Sequence, residues 1–264
     1  MRSGIWRAFA ASTALAIVGL AACGGDEPKA ASSTTATVDV AASVGLTAFC
    51  EAHLALTRAA SGASSEEVDF EALAADLVAT APAEIAQTVE TFVDVMGRAA
   101  ASGDDAMFVS DEFRDPARAM EGFVAKHCGH QVVEVTTIEY GFEGVPASLE
   151  SGPTMFHFVN EGEQIHEGIL FRRAEGLDGD PIDLLAADPS AESGTLDEVG
   201  VALVGEAGDE FYLTVGLEPG AYVLVCFFPQ GAETIADVSA ADGSEDATHD
   251  HRSAGMVVGF EVKG

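Results

Sequence analysis

The sequence predicts an α+β chain in two parts, a small N-terminal helical bundle followed by an all-β Greek-key sandwich. Three observations predict it. From about residue 45 to residue 130 apolar residues recur with a helical period. From residue 131 the period becomes two and the residues turn β-branched. The 264 residues, 48% of them hydrophobic, supply enough apolar surface for packed cores.

Residues 1–22 read as a secretory signal. Arg2 and Arg7 form a charged start, and Ala8 to Leu20 an apolar stretch too short for a retained membrane span. The following Leu20-Ala21-Ala22-Cys23 resembles a bacterial lipobox. That resemblance implies that Cys23 carries lipid, with the exported chain held in the bilayer at the outer face of the cell membrane. Residues 23–44 are rich in Ala, Ser and Thr without a hydrophobic period, and read as a flexible tether.

The bundle is assigned to residues 45–130. Phe49, His53 and Leu56 share one helix face, and Phe70, Leu73 and Leu77 a second, behind a Ser64-x-x-Glu67 capping box. Pro82 opens a third helix striped by Ile85, Val89, Phe92, Val93 and Met96. A fourth begins at Asp115-Pro116 and ends at Cys128-Gly129. With Cys23 lipidated, three cysteines remain, an odd number for an oxidising compartment. Cys50 and Cys128 bracket the bundle and are the natural disulfide pair, leaving Cys226 as a free thiol that a metal would occupy. His53, His127 and His130 read as core-edge residues rather than ligands.

The second part, residues 131–264, carries seven or eight strands. They are Val133–Val135, Ile138–Phe142, Thr154–Val159, Gly168–Phe171, Val199–Val204, Phe211–Leu217, Tyr222–Phe227 and Met256–Val262, punctuated by glycine and proline turns. Leu177–Ala187 can hold a helical turn, and the acidic stretch Gly231–Asp250 reads as a loop. His157, inside an apolar strand, reads as a sheet residue.

Four features of this half, in this order, resemble the cupredoxins, the fold of plastocyanin and azurin. Asn160 precedes His166 by a short turn; Gly220-x-Tyr222 leads to Cys226; four residues separate His251 from Met256; and Gly255-Met256 opens the last apolar strand. The resemblance covers Val132 to Lys263 and implies one copper ion held by His166, Cys226, His251 and the thioether of Met256. Asn160 would brace the His166 loop, and Tyr222 would be core. Thiolate and thioether favour Cu(I) while imidazoles accept both states, as one-electron transfer requires. The chain departs from the pattern in one respect: 24 residues separate Cys226 from His251. Cupredoxins place the second His a few residues after the Cys. His249 is an alternative ligand. The longer loop adds only about 1.6 kcal/mol of closure entropy, but it removes a short, stiff connection and so implies a flexible, weaker or differently coordinated site.

Composition excludes some partners. The formal charge of −32 argues against nucleic acid. The functional expectation is a membrane-anchored, extracytoplasmic copper protein that transfers electrons or handles copper, with a redox or metal-transfer protein as partner, and not an enzyme. The competing readings are a metal-free binding or assembly module, in which Cys226 and His251 lie far apart, and an accessory to metal uptake. The sequence carries no organised Ser, His and Asp set and no metalloprotease motif.

Overall fold

The computed structural model describes residues 40–60, 68–103, 107, 110–188, 193–241 and 249–264. The leader, Cys23 and the Ser64 to Glu67 box lie outside them. Four helices come first: α1 (Val40–Ala60), α2 (Phe70–Thr80), α3 (Ala86–Ser102) and α4 (Asp111–His127). Nine strands follow: β1 (Gln131–Ile138), β2 (Gly141–Glu143), β3 (Ser148–Glu150), β4 (Gly152–Asn160), β5 (His166–Arg173), β6 (Leu196–Val204), β7 (Glu210–Leu217), β8 (Gly220–Val225) and β9 (Val257–Lys263). Two short helices interrupt them, α5 (Pro181–Ala187) and α6 (Ile235–Ala241).

The strands form two sheets, β2-β1-β4-β7 and β3-β9-β8-β5-β6. Side chains alternate as the pleat requires. Phe156 and Phe158 of β4 point between the sheets, while Met155 points to the helices. The long apolar run of β8 is buried on both faces: Tyr222 and Leu224 enter the inter-sheet core, and Val223 and Val225 meet α5. Tyr222 is core, its hydroxyl donating to the carbonyl of Glu218 at 2.9 Å.

Several boundaries differ from those read off the sequence. α1 starts at Val40, so the helix takes up the last five residues assigned to the tether. α2 is capped by Asp69, whose carboxylate accepts from Ala72 N at 3.0 Å. The residues around Pro82 form a turn, and α3 starts at Ala86. α4 starts at Asp111 and carries Pro116 inside it, beyond the four amides at a helix start that need no partner, so the helix forgoes one backbone bond there, to the Glu112 carbonyl. Ile138–Phe142 is not one strand but the tight turn between β1 and β2, with Tyr140 at φ 64°. β3 was missed; three residues are too few to show a period. Part of the acidic loop is α6.

The helices are not a free-standing bundle. Their core includes Met155 and Tyr212 of the first sheet, so the layer is closed by the sheet's outer face. Polar links tie the two. His53 Nε2 lies 2.8 Å from Glu121 Oε1, and Thr214 of β7 donates to Glu121 Oε2 at 3.3 Å. Arg114 of α4 pairs with Asp209 beside β7. Cys50 and Cys128 form a disulfide that joins α1 to the end of α4. Replacing Glu121 by Ala leaves the buried His53 ring without that partner and lowers stability by about 1–3 kcal/mol, read as a shifted midpoint in urea denaturation. An unchanged midpoint would show that the link contributes nothing.

Candidate metal centre

The antiparallel order of β5, β8 and β9 brings three chain segments to one end of the second sheet. β5 begins at His166, β8 ends at Val225, and β9 begins at Val257, with Ile169 opposite Val225 and Val225 opposite Val257. The residues just beyond these strands therefore meet. Among the described residues, the one group of three or more side chains able to hold a metal ion is His166, Cys226 and His251, whose ligand atoms all lie within 4.8 Å of one another. The two Nδ1 atoms are 3.2 Å apart, and Cys226 Sγ is 3.4 Å from His251 Nδ1. Metal–ligand bonds of about 2.0–2.3 Å place ligand atoms at spacings of this order. The donor set is two imidazoles and a thiol, which fits a single copper ion.

Met256 is fully buried and packs in one cluster with Cys226, Ile165 and Phe228. Backbone bonds hold it to both neighbours: Met256 N donates to His251 O at 2.9 Å, and Cys226 N donates to Met256 O at 3.2 Å. A 3₁₀ turn over Arg252–Ala254 makes this hairpin, closed by Gly255 at φ 115°, a conformation that favours glycine. His249 is exposed and lies outside the cluster.

The long excursion after Cys226 is pinned at its base. Pro229 and Asp250 form an isolated β-bridge, His251 N donates to Phe228 O at 2.8 Å, and Gln230 N donates to His249 O at 2.9 Å. Asp250 accepts from Ser253 N at 2.6 Å and pairs with Arg252, which lies over the Phe227 ring. The flexible connection expected from 24 intervening residues is therefore corrected to a short, tied one, because the slack is taken up beyond the bridge. Ala232 and Val238 of the excursion fold back onto the cluster around Cys226.

Asn160 bonds across the loop before His166. Its Nδ2 donates to the carbonyls of Gln164 and Gly205 at 2.8 and 2.9 Å, and its Oδ1 accepts from Gly162 N at 2.9 Å. Three contributors went unseen in the sequence. Glu139 accepts from the backbone N–H groups of Glu163 and Gln164, and that bonding holds its carboxyl below the usual range. Tyr140 sets its ring edge-on to His251 with centroids 5.2 Å apart. Gln164 reaches His251 Nε2 at 3.0 Å. No periodicity or spacing marks a turn residue or a loop amide as a neighbour of the centre.

The metal-capable groups are fully buried, and burial sets their protonation. Desolvation, with the neighbouring His251 next, lowers His166 to about 4. Desolvation also lowers His251. It pushes the Cys226 thiol well up, with the Glu167 carboxylate adding to it. At neutral pH the metal-free site is thus two neutral imidazoles and a thiol. The other histidines take no part. His157 stacks on Tyr212 and bonds Glu134 at 2.6 Å on the outer face of the first sheet, and His127 stacks on Phe123.

No family model matches the chain, and no curated protein matches it. Solved structures do. A dithionite-reduced auracyanin from Roseiflexus castenholzii is 16% identical, with 51% of this chain and 98% of that one covered and a TM-score of 0.34. Auracyanin A, a "blue" copper protein from Chloroflexus aurantiacus, is 17% identical over 51% of this chain and 100% of that one, with a TM-score of 0.31. Oxidised plastocyanin from Dryopteris crassirhizoma is 22% identical over 49% of this chain and 99% of that one, with a TM-score of 0.25. With scores this low, the fold is assigned on the strand order and on the placement of the three ligands.

A pH dependence follows from the buried imidazoles. His166 titrates at about 4 in the fold against about 6.5 in the unfolded chain. The unfolded state therefore takes up the proton first as pH falls, and the metal-free protein loses stability between about pH 6.5 and about pH 4. Denaturation midpoints across that window should fall more steeply for the wild type than for His166→Asn; parallel curves would rule the assignment out. The C-terminal half is thus a two-sheet β-sandwich with helices before it, and it gathers His166, Cys226 and His251 at one end of its second sheet.

Proposed function

We propose that the β-sandwich holds one copper ion on His166, Cys226 and His251, with the thioether of Met256 as a fourth, weaker ligand, and passes single electrons through it. The observation that carries this reading is the convergence of three buried groups: the two imidazoles lie 3.2 Å apart at Nδ1, the Cys226 thiol lies 3.4 Å from His251 Nδ1, and all three ligand atoms are within 4.8 Å of one another. A metal-free module carries the opposite expectation, that Cys226 and His251 lie far apart.

Copper so held is ligated by protein on all sides, leaving no open position for a substrate, and the proposed role is therefore electron transfer and not catalysis. All four side chains are fully buried, which favours retention of the ion over its delivery. Ligands held at strand ends and in a hydrogen-bonded turn would move little between oxidation states, and that would keep the reorganisation accompanying electron transfer small. The partner is proposed to be a redox protein. The disulfide supports an oxidising, extracytoplasmic compartment. No described helix is long and apolar enough to cross a membrane, and attachment is proposed to occur through lipid on Cys23.

Two measurements test this. Titrating the purified chain with Cu(II) should produce a visible thiolate-to-copper charge-transfer band that Cys226→Ser abolishes; no band in the wild type removes the reading. Because the thiol is protonated and the imidazoles neutral at pH 7.5, uptake of copper should release about one proton per ion. Calorimetry in buffers of different ionisation enthalpy reads that number, and a value near zero would show that the thiol is not a ligand.

A further inference from the structure

His251 has two ring nitrogens, and only one of them faces the other ligands. Its Nδ1 lies 3.2 Å from His166 Nδ1 and 3.4 Å from Cys226 Sγ, while its Nε2 lies 3.0 Å from Gln164 Oε1. Which nitrogen carries the proton is decided at Gln164. The backbone N–H of Gly231 points at the same Gln164 oxygen, and a backbone N–H can only donate. The amide oxygen is therefore on that side. A flipped amide would set its NH₂ against the Gly231 N–H, donor against donor, whereas the Tyr140 hydroxyl at 3.3 Å can donate or accept and suits either orientation. With an oxygen facing it, His251 Nε2 must be the protonated nitrogen, and Nδ1 presents its lone pair to the centre.

We infer that Gln164 is a positioning residue of this centre, fixing the tautomer and the ring orientation of His251. Its own geometry is tightly determined. Gln164 N donates to Glu139 at 3.0 Å, its carbonyl accepts from Asn160 Nδ2 at 2.8 Å, and its side chain spans from Tyr140 to the excursion at Gly231. Tyr140 in turn packs edge-on against the ring that Gln164 holds. His166 has no such partner: its Nε2 is buried without one. The two imidazoles are thus unequal. In the metal-free chain His166 donates its Nδ1 proton to the Nδ1 lone pair of His251. A metal ion would be held by His166 and by the Nδ1 lone pair of His251, whose Nε2–H tautomer would be the same with and without it.

The inference rests on the copper reading for the identity of the ion, but the tautomer belongs to the metal-free chain and is measured without copper. Long-range ¹H–¹⁵N spectra of the metal-free full chain should show His251 protonated on Nε2. Gln164→Ala should populate both tautomers and weaken Cu(I) binding by about 10–100-fold, read by competition with a chromophoric chelator. Gln164→Glu keeps an acceptor at the same place; it should retain the Nε2–H tautomer and near-wild-type affinity. As a stronger acceptor it makes the imidazole more basic, and the reduction potential should fall. A wild-type His251 protonated on Nδ1 overturns the inference even if the variants fail to fold. So does Gln164→Ala with an unchanged tautomer and unchanged affinity. If the wild type takes no copper but Gln164→Ala scrambles the tautomer, the positioning role stands and the copper reading falls.

Discussion

The pairing of Phe228 with His251 is the constraint on which the centre depends. A thiol at the end of one strand and an imidazole 25 positions later have no local reason to meet. The His251 N–H to Phe228 carbonyl bond, the Pro229 to Asp250 bridge and the bond from Gln230 to His249 close the excursion at its neck. The ligand turn then behaves as though it were short. Its entropy cost is small in any case, about 1.6 kcal/mol, and the excursion partly offsets it by setting Ala232 and Val238 against the cluster around Cys226.

Once the neck is closed, the rest of the centre follows from strand order. β5, β8 and β9 are hydrogen-bonded neighbours running alternately, so the start of β5, the end of β8 and the start of β9 lie side by side. His166, Cys226 and the turn from His251 to Met256 meet there without any loop having to reach across the sheet. The N-terminal helices contribute differently. They cover the outer face of the other sheet, through Met155 and Tyr212, and their polar link at His53, Glu121 and Thr214 is remote from the ligands. Their part in this geometry is to complete the sandwich on the side away from the second sheet.

Much of this was legible in the sequence. Long periodic segments such as Phe211–Leu217 or the stripe from Val89 to Met96 show their type because many side chains repeat one choice. Cys50 with Cys128, and the ordered set His166, Cys226 and His251, were legible because their chemistry restricts what they can do. What escaped has a different physical character. β3 is three residues held by parallel pairing to β9, a long-range partner rather than a local pattern. The docking of the helices on the sheet depends on single outward residues such as Met155, which look no different from core residues in sequence. Gln164 and Tyr140 act through one oxygen and one ring edge, and nothing in spacing distinguishes them from other loop residues. The excursion looked loose because the hydrogen bonds that tie it run through the backbone, which every residue shares.

The buried groups also show why such a site exists only where a ligand completes it. A neutral thiol, two imidazoles and the unpartnered Nε2 of His166 sit in a region that hydrophobic side chains would fill at lower cost. Local consistency is given up here, as at sites where function opposes stability. The surrounding structure compensates with groups that leave little freedom: Asn160 bonds both ends of the loop before His166, and Gly255 takes a backbone conformation few other residues would adopt. Of the formal charge of −32, only the carboxylates of Glu139, Glu167 and Asp250 act on the centre at close range, and that of Glu167 raises the Cys226 thiol. Asp250 is paired with Arg252, and Glu139 is exposed and spent on backbone donors. Charges farther off are screened within about 8 Å at physiological salt. The electronic character of a metal at this position would therefore be governed by what touches its ligands: the Glu167 N–H directed at Cys226 Sγ at 3.4 Å, and the Gln164 oxygen on His251. A donor to sulfur draws charge from the thiolate and an acceptor on the imidazole adds it, so the two act in opposite senses on the same ion.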